Sequence, residues 1–154
     1  MILSNDACIQ INQAIFSIAN AYRSKMQRDG VVEETGLGLP DRSTLMVLGQ
    51  LAPTTARILS KAMDINAGTI SVYVQRLVDK ALVARTQDQA DRRTWWLSLT
   101  NEGQVAYKDT LLGAAAYTRK FLSPLSADEQ ASLHAMLLRV SSELGYQWQS
   151  NPPA

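Results

Sequence analysis

The chain has 154 residues, with 15 Lys and Arg against 14 Asp and Glu, a formal net charge of +1 and 46% hydrophobic residues. This composition excludes disordered, collagen-like and fibrous proteins, and a chain of this length buries enough surface to fold without a disulfide or a structural metal. A single cysteine and a single histidine leave no internal disulfide and no Cys/His-rich zinc site. A catalytic triad would depend on His134 alone, so we expect neither an enzyme nor a bound cofactor.

The sequence lacks membrane signals. The N-terminal residues MILSNDACIQ have neither the basic start nor the long apolar stretch of a signal peptide. No apolar run reaches the roughly 18 residues of a membrane span. We therefore expect a cytoplasmic protein with no membrane partner.

Basic residues are concentrated in one part of the chain. Between positions 54 and 99 there are seven basic and four acidic residues, whereas the rest of the chain has eight basic and ten acidic residues. An excess of positive charge confined to one segment is a feature of nucleic-acid binding. This segment is therefore the first candidate for such a site.

The first predicted element is a long amphipathic helix from Asp6 to Arg28, where there is no Pro or Gly and apolar residues recur three or four positions apart. Its apolar stripe consists of Ile11, Ile15, Ile18, Tyr22 and Met26. Residues 29–40 contain three glycines and a proline, and they are predicted to form a loop.

Two further helices are predicted in residues 41–63. The second helix begins with a cap at Asp41 or Ser43, and Gly49 inside it predicts a close packing contact, because glycine costs about 1 kcal/mol in a helix. A third, short helix begins after a cap at Thr54 or Thr55 and ends near Met63. Its predicted buried face consists of Ile58, Leu59, Ala62 and Met63.

A brief turn at residues 64–66 leads to a fourth helix that Asn66 is placed to cap. The residues predicted to face inward are Ile70, Val74 and Leu77. Those predicted to remain outside are Thr69, Ser71, Gln75, Arg76 and Asp79. Two short helices joined by a tight turn predict a helix-turn-helix.

After Ala81 the hydrophobic period changes to two, which predicts a β-hairpin with strands at 82–86 and 94–100 and a polar tip at 87–93. Trp95 is predicted to pack in the base of this hairpin, and Trp96 lies on the opposite face of its strand. Thr100 is placed to cap a fifth helix that reaches about Phe121, and a capping box at 126–129 opens a sixth. The stripe of the sixth helix consists of Leu133, Leu137, Val140 and Leu144.

The predicted fold is mainly α with a small β-hairpin wing, which is a winged helix-turn-helix at 41–99 between flanking helices. In such a fold the second helix of the pair enters the major groove of DNA, and the wing reaches phosphates or the minor groove. Hydroxyl and amide side chains can bond base edges there, and Arg76 can pair with a phosphate or with guanine.

Residues 91–103, DRRTWWLSLTNEG, match the D-R-R-x5-L-T-x-x-G signature of the MarR (multiple antibiotic resistance regulator) family, and residues 59–83 resemble its helix-turn-helix. The resemblance covers nearly the whole chain and implies one domain over 1–154. It implies a homodimer whose helices at 6–28 and 100–146 interlock between subunits. The function implied is a transcriptional regulator, a repressor, that binds a pseudo-palindromic operator and is released by a small-molecule effector.

The predicted DNA contacts lie on the fourth helix and the wing. The resemblance implies that Asp91 orients Arg93 toward a minor groove and that Arg92 lies near the phosphates. The full set consists of Thr69, Ser71, Val72, Gln75, Arg76, Asp91, Arg92 and Arg93. Residues expected near the DNA backbone are Arg57, Lys61, Asn66 and Arg85, although Arg57 and Lys61 fit surface ion pairs equally well.

One departure and two alternatives accompany this interpretation. Ala81 stands where the family usually has Gly, which predicts a different end for the fourth helix. Cys8 near the start of the first helix suggests a peroxide-sensing regulator of the same fold, because the peroxide-sensing branch of the resembling family has its reactive cysteine near this position. A dimeric ligand-binding or protein-binding module without DNA affinity is the other alternative.

Overall fold

The computed structural model describes residues 3–28 and 36–143. The chain divides into two compact units, with the division between Leu39 and Pro40. The first unit contains helix α1, Asn5–Arg28, as predicted. Most of the predicted loop, residues 29–35, lies outside the described residues, as does Leu144 of the predicted stripe of the sixth helix.

The second unit contains the helix-turn-helix and the wing. Its elements are α2 (Leu39–Leu51), β1 (Thr54–Thr55), α3 (Ala56–Met63), α4 (Ala67–Asp79), β2 (Val83–Gln87), β3 (Trp95–Leu99), α5 (Asn101–Phe121) and α6 (Ala127–Glu143). The strands form an antiparallel sheet in the order β1-β3-β2, with Gln87 opposite Trp95 at the tip of the hairpin. The predicted fold class, mainly α with a small wing, is confirmed.

Helix α2 begins at Leu39, before the predicted caps at Asp41 and Ser43, so this boundary was wrong. Pro40 occupies the first turn, where a fixed φ suits the helix and the missing N–H is not needed. Asp41 therefore lies inside the helix. Its carboxylate binds another element, as described below.

Three predicted helix caps are present. The side chains of Thr55, Asn66 and Thr100 accept the N–H groups of Ile58, Thr69 and Gly103 at 3.3, 2.9 and 2.9 Å, and so begin α3, α4 and α5. On α3, however, only Leu59 of the predicted buried face is fully buried, and Ile58 is exposed. A helix of eight residues is too short to bury a wide apolar face.

Helix α4 ends in a left-handed residue at Ala81, with φ +57°. The N–H of Ala81 donates to Val78 O at 2.8 Å, and the N–H of Leu82 donates to Leu77 O at 2.9 Å. These two bonds form the Schellman motif in which glycine normally supplies the left-handed residue. The expectation that the helix ends differently was therefore wrong, because Ala81 adopts the conformation of the glycine that it replaces.

The glycine and threonine of the segment 100–103 join α5 to the end of α4. Thr100 donates its hydroxyl to Ala81 O at 2.7 Å, and its N–H to Leu82 O at 3.1 Å. A Cβ on Gly103 would overlap the carbonyl oxygen of Leu82. Only glycine fits this contact, which fixes the start of α5 against the base of the wing.

Gly49 of α2 packs against the ring of Tyr107 on α5, where a Cβ would lie 2.6 Å from ring carbons. This contact confirms the close approach that a glycine inside α2 predicted. Burial raises the pKa of Tyr107 because it disfavours the charged phenolate.

The core of the second unit lies between α2, α3, α4 and the sheet. Its fully buried apolar side chains include Leu45, Leu48, Leu59, Ile70, Val74, Leu77 and Leu97. The predicted inward face of α4 is thus confirmed.

The flanking helices have apolar side chains that the single chain leaves exposed. Ile11, Ile15 and Ile18 of α1 are exposed, as are Leu137 and Val140 of α6. The capping box of α6 is present, since Ser126 N–H donates to Glu129 Oε2 at 2.8 Å, and the Ser126 bonds lower the pKa of Glu129. Among the described helices, none is long and apolar enough to cross a membrane.

Candidate nucleic-acid interface

The outer face of α4 presents the predicted base-contacting residues. Ser71, Val72, Gln75 and Arg76 are exposed, and Thr69 is half-buried at the first turn. The helix is anchored by the opposite face, through Ile70, Val74 and Leu77, so its polar side is held outward. The side-chain oxygen of Asn66 accepts the N–H of Thr69 and caps α4.

Several of these side chains are already bonded within the chain. Ser71 donates its hydroxyl to Ala67 O at 2.8 Å, and Gln75 Nε2 donates to Asp79 Oδ1 at 2.7 Å. Both hydrogen bonds are exposed to solvent, and their donors are uncharged. Such a donor can readily leave its acceptor and bond to another partner. Contacts of Ser71 and Gln75 with bases stay a prediction.

Arg76 is bound to α2. Its Nε donates to Asp41 Oδ1 at 2.8 Å, and Nη2 lies 2.6 Å from the same oxygen. The Asp41 side chain is 9% exposed, that of Arg76 is 43% exposed, and the guanidinium carbon lies 4.9 Å from the centre of the Tyr73 ring. Arg76 therefore ties the exposed helix to α2, and its predicted contact with DNA stays a prediction.

A shallow concavity of about 400 Å³ lies between α4 and the wing. Ser71 and Gln75 line it from the helix, and Arg85 and Trp95 line it from the hairpin. Residues predicted separately as helix and wing contacts thus border one depression. The exposed face of α4 and the wing form a single surface.

The wing tip is ordered by two aspartates. Asp88 Oδ1 accepts the N–H groups of Ala90 and Asp91, both at 2.8 Å. Asp91 Oδ1 accepts the N–H of Arg93 at 3.0 Å, and Oδ2 accepts the Thr94 hydroxyl at 2.8 Å. The contact between Asp91 and Arg93 is therefore with the backbone of Arg93. Asp91 shapes the turn, and both arginine side chains remain exposed.

The prediction that Trp95 packs in the base of the wing was wrong, whereas Trp96 is exposed as predicted. Trp95 does not pack in the base of the wing, since it is 48% exposed, more than Trp96 at 37%. The indole Nε1 of Trp96 donates to Asp88 Oδ2 at 2.7 Å. This bond and the two amide bonds lower the pKa of Asp88, because each stabilises the carboxylate.

Two positions important to this surface were missed in the sequence. Asp88 and Trp96 lie eight residues apart, but they are diagonal neighbours once the hairpin register is known. Pairing Gln87 with Trp95 sets this register. A hairpin paired in this way from the alternating apolar residues of the strands would have placed Asp88 beside Trp96. The Asp41–Arg76 pair has no local signal, because 35 residues separate its members.

The remaining predicted backbone contacts are arginines and a lysine on the outside of the same unit. Arg57 and Lys61 are exposed on α3, and Arg85 is exposed on β2. None of the three has an ion-pair partner among the described residues. Their charges are available to an anionic partner.

Arg42 next to Asp41 was not anticipated as a buried residue. It is 2% exposed, and its three guanidinium nitrogens have no hydrogen-bond partner among the described residues. Burial lowers the pKa of Arg42 because it disfavours the charged form.

Cys8 is exposed near the start of α1, and His134 is exposed on α6. Among the described residues there is no group of three or more His, Cys, Asp or Glu side chains that could hold a metal ion. The peroxide-sensing alternative through Cys8 stays a prediction. It is tested by treating wild type and Cys8→Ser with peroxide and measuring the DNA affinity of each.

Comparison with known proteins agrees with this geometry. Residues 35–94 match the model of the MarR family. The chain is 34% identical over 71 residues to the transcriptional repressor MdtR of Bacillus subtilis, a match that covers 46% of this chain and 46% of MdtR. The chain therefore matches about half the length of this curated relative.

Two solved structures share the fold over most of both chains. FabT of Streptococcus pneumoniae, crystallised with DNA, is 22% identical, with 88% of this chain and 96% of FabT covered and a TM-score of 0.72. MarR is 19% identical, with 87% and 96% covered and a TM-score of 0.75. At these identities the likeness establishes the fold alone.

The family and the matched relative are transcriptional regulators rather than enzymes, in agreement with the sequence prediction. Residues 35–94 of this chain are thus similar to the MarR family, and the described residues have the winged helix-turn-helix fold of the solved MarR structure.

Proposed function

We propose that the chain is a sequence-specific DNA-binding regulator of transcription that acts as a homodimer. The observation that carries the proposal is the single surface formed by α4 and the wing, where Ser71, Gln75 and Arg85 border one depression. Exposed arginines at the wing tip extend this surface. A helix of 13 residues with a polar outer face fits the major groove, and the adjacent arginines fit the phosphates or the minor groove.

Dimerisation is supported by the exposed apolar side chains of the flanking helices. Ile15 on α1 is 62% exposed, and Leu137 on α6 is 58% exposed. Apolar side chains that recur along an exposed helix indicate a protein interface, because water solvates them poorly. Sedimentation is expected to give a dimer, and Leu137→Glu to shift the equilibrium toward the monomer. The change Ala131→Glu at an exposed position of α6 should not shift it.

The direction and control of regulation form the finer part of the proposal. MdtR is named a repressor, and we extend that role to this chain. We also propose that a small-molecule effector releases the dimer from DNA, which requires that the effector bind the two conformations with different affinity. A screen of compounds for loss of DNA affinity tests this part separately.

The direct test is fluorescence anisotropy with a duplex from upstream of the protein's own gene, or with a site selected from random duplexes. The purified dimer is expected to bind such a site roughly a thousandfold more tightly than a random duplex. Arg93→Ala is expected to weaken the specific complex at least about tenfold. Lys108→Ala removes one exposed positive charge on α5 and serves as the matched control.

Specific binding that survives Arg93→Ala unchanged would refute the role of the wing. Failure to select any duplex from the random pool would refute DNA binding itself and leave the ligand-binding or protein-binding module as the explanation.

A further inference from the structure

Trp96 occupies the middle of the hairpin that carries the exposed arginines. It pairs with Thr86 on one side and with Thr55 on the other, so its backbone is held on both edges of β3. The indole projects along the sheet to Asp88, and the Nε1–H donates to Asp88 Oδ2 at 2.7 Å. The indole is thus fixed at its root by the sheet and at its tip by a carboxylate.

Asp88 connects Trp96 to the turn at the tip of the wing. Its second carboxylate oxygen accepts the amide N–H groups of Ala90 and Asp91, and its own N–H donates to Thr94 O at 2.9 Å. One carboxylate therefore links the rigid strand β3 to the two residues that directly precede Arg92 and Arg93. Without a bond at Oδ2, rotation of the Asp88 side chain is opposed only by its bonds to the amides of the turn.

The next link is Asp91, whose backbone Asp88 holds. Asp91 accepts the Arg93 N–H at 3.0 Å and the Thr94 hydroxyl at 2.8 Å. Gln87 Nε2 donates to Arg92 O at 2.7 Å and holds the same turn from the end of β2. The two arginines are thereby set on a closed turn before any partner binds.

We propose that Trp96 is a positioning residue for DNA binding, which acts through Asp88 to hold the turn that presents Arg92 and Arg93. The inference rests on the proposed function, because it requires that the wing contact DNA. Its physical basis is preorganisation: a turn that is ordered in the free protein loses less conformational entropy on binding. Trp96 itself need not touch DNA.

The test compares Trp96→Phe with Trp148→Phe in the full-length dimer. Trp96→Phe keeps an aromatic ring on β3 and removes the N–H that binds Asp88. Trp148→Phe removes an indole N–H outside the winged helix-turn-helix and is the matched control. Trp96→Phe is expected to weaken specific DNA binding about three- to tenfold, which is part of the contribution of one hydrogen bond to a charged group, and Trp148→Phe is expected to leave the affinity unchanged.

Two combined variants separate positioning from a general loss of stability. Asp88→Asn keeps an oxygen for the turn amides but places an NH₂ group toward the indole, so Trp96→Phe in that background should cost little more. In the Arg92→Ala, Arg93→Ala background, Trp96→Phe should have almost no effect on DNA affinity. The melting temperature of Trp96→Phe should stay within a few degrees of wild type.

A spectroscopic readout follows the bond directly. The hydrogen bonds keep the pKa of Asp88 below its ordinary value, so the bond persists above about pH 4 and is lost as the pH falls through the lowered pKa. One of the three tryptophan indole N–H signals is therefore expected to titrate in acid, and Trp96→Phe should remove that signal.

The outcomes distinguish this inference from the proposed function. If wild type binds its site and Arg93→Ala weakens binding, but Trp96→Phe binds as tightly as wild type, the positioning role is refuted and the proposed function stands. An equal loss from Trp96→Phe with and without the wing arginines would also refute it. If wild type selects no duplex, the proposed function fails and the positioning role falls with it, even where the indole signal titrates.

Discussion

The guanidinium of Arg76 on α4 is bonded to the carboxylate of Asp41 on α2, 35 residues earlier in the chain. The bond runs between the helix with the exposed polar face and a helix of the core. Two donors on one planar guanidinium fix an orientation as well as a distance. The position of α4 on the unit is thus held by apolar packing on one side and by this ion pair on the other.

A double-mutant cycle on Asp41→Ala and Arg76→Ala is expected to give a coupling energy of about 1 kcal/mol in urea unfolding, since one partner is nearly buried and the other partly exposed. Arg76→Lys should not restore it, because a lysine lacks the planar fork. Additive effects of the two alanine changes would show that the ion pair contributes nothing to stability.

The wing arginines are expected to differ in their salt dependence. If Arg92 contacts phosphate, Arg92→Ala lowers the slope of log affinity against log salt by about one per subunit, and it weakens all duplexes alike. Arg93→Ala should instead reduce the preference for A·T-rich flanks, where a narrow minor groove attracts arginine. Anisotropy titrations at several salt concentrations, on two duplexes that differ only in the flanks, measure both quantities. Identical behaviour of the two variants would contradict the assignment.

Ala81 adopts φ +57° at the end of α4, a conformation that costs a residue with a Cβ about 1 kcal/mol relative to glycine. Ala81→Gly is therefore expected to raise the free energy of unfolding by about 1 kcal/mol. Ala131→Gly, an exposed position inside α6, is the matched control and should lower it by a similar amount. Urea unfolding at a fixed protein concentration gives both values, and a loss of stability in Ala81→Gly would contradict the strain.

Arg42 is buried without a hydrogen-bond partner among the described residues. An unpaired buried charge opposes folding, so Arg42→Met is expected to raise the free energy of unfolding by about 1 to 3 kcal/mol. The exposed change Arg119→Met should have an effect within about 0.5 kcal/mol. A large loss of stability in Arg42→Met would show that the guanidinium is paired in the dimer.

The features predicted correctly from the sequence are those that depend on residues a few positions apart in the chain. The caps at Thr55, Asn66 and Thr100 and the box at Ser126 follow from residues three positions apart, and all four are present. The inward face of α4 follows from a period of 3.6 residues. The start of α2 was misplaced because Asp41 is a good cap by type but forms a distant ion pair.

The features that were missed depend on contacts between separate elements. β1 has only two residues, too few to show alternation. The exposure of Trp95 depends on the position of the hairpin relative to α4. The alternation of apolar and polar residues within the strand does not determine that position. Ala81 shows the opposite case. Thr100 donates hydrogen bonds to the carbonyls of Ala81 and Leu82, and these tertiary bonds hold Ala81 in a conformation that its residue type disfavours.

The most direct measurement of the central claim is a hydroxyl-radical footprint of the dimer on its selected duplex, for wild type and Arg93→Ala. The account predicts two symmetric protected segments, centred about one helical turn or a multiple of it apart, because two copies of α4 enter successive major grooves. It also predicts outer minor-groove protection that Arg93→Ala removes. A single protected segment, or a wild-type pattern that Arg93→Ala leaves unchanged, would contradict the claim that paired α4 helices and wings bind DNA.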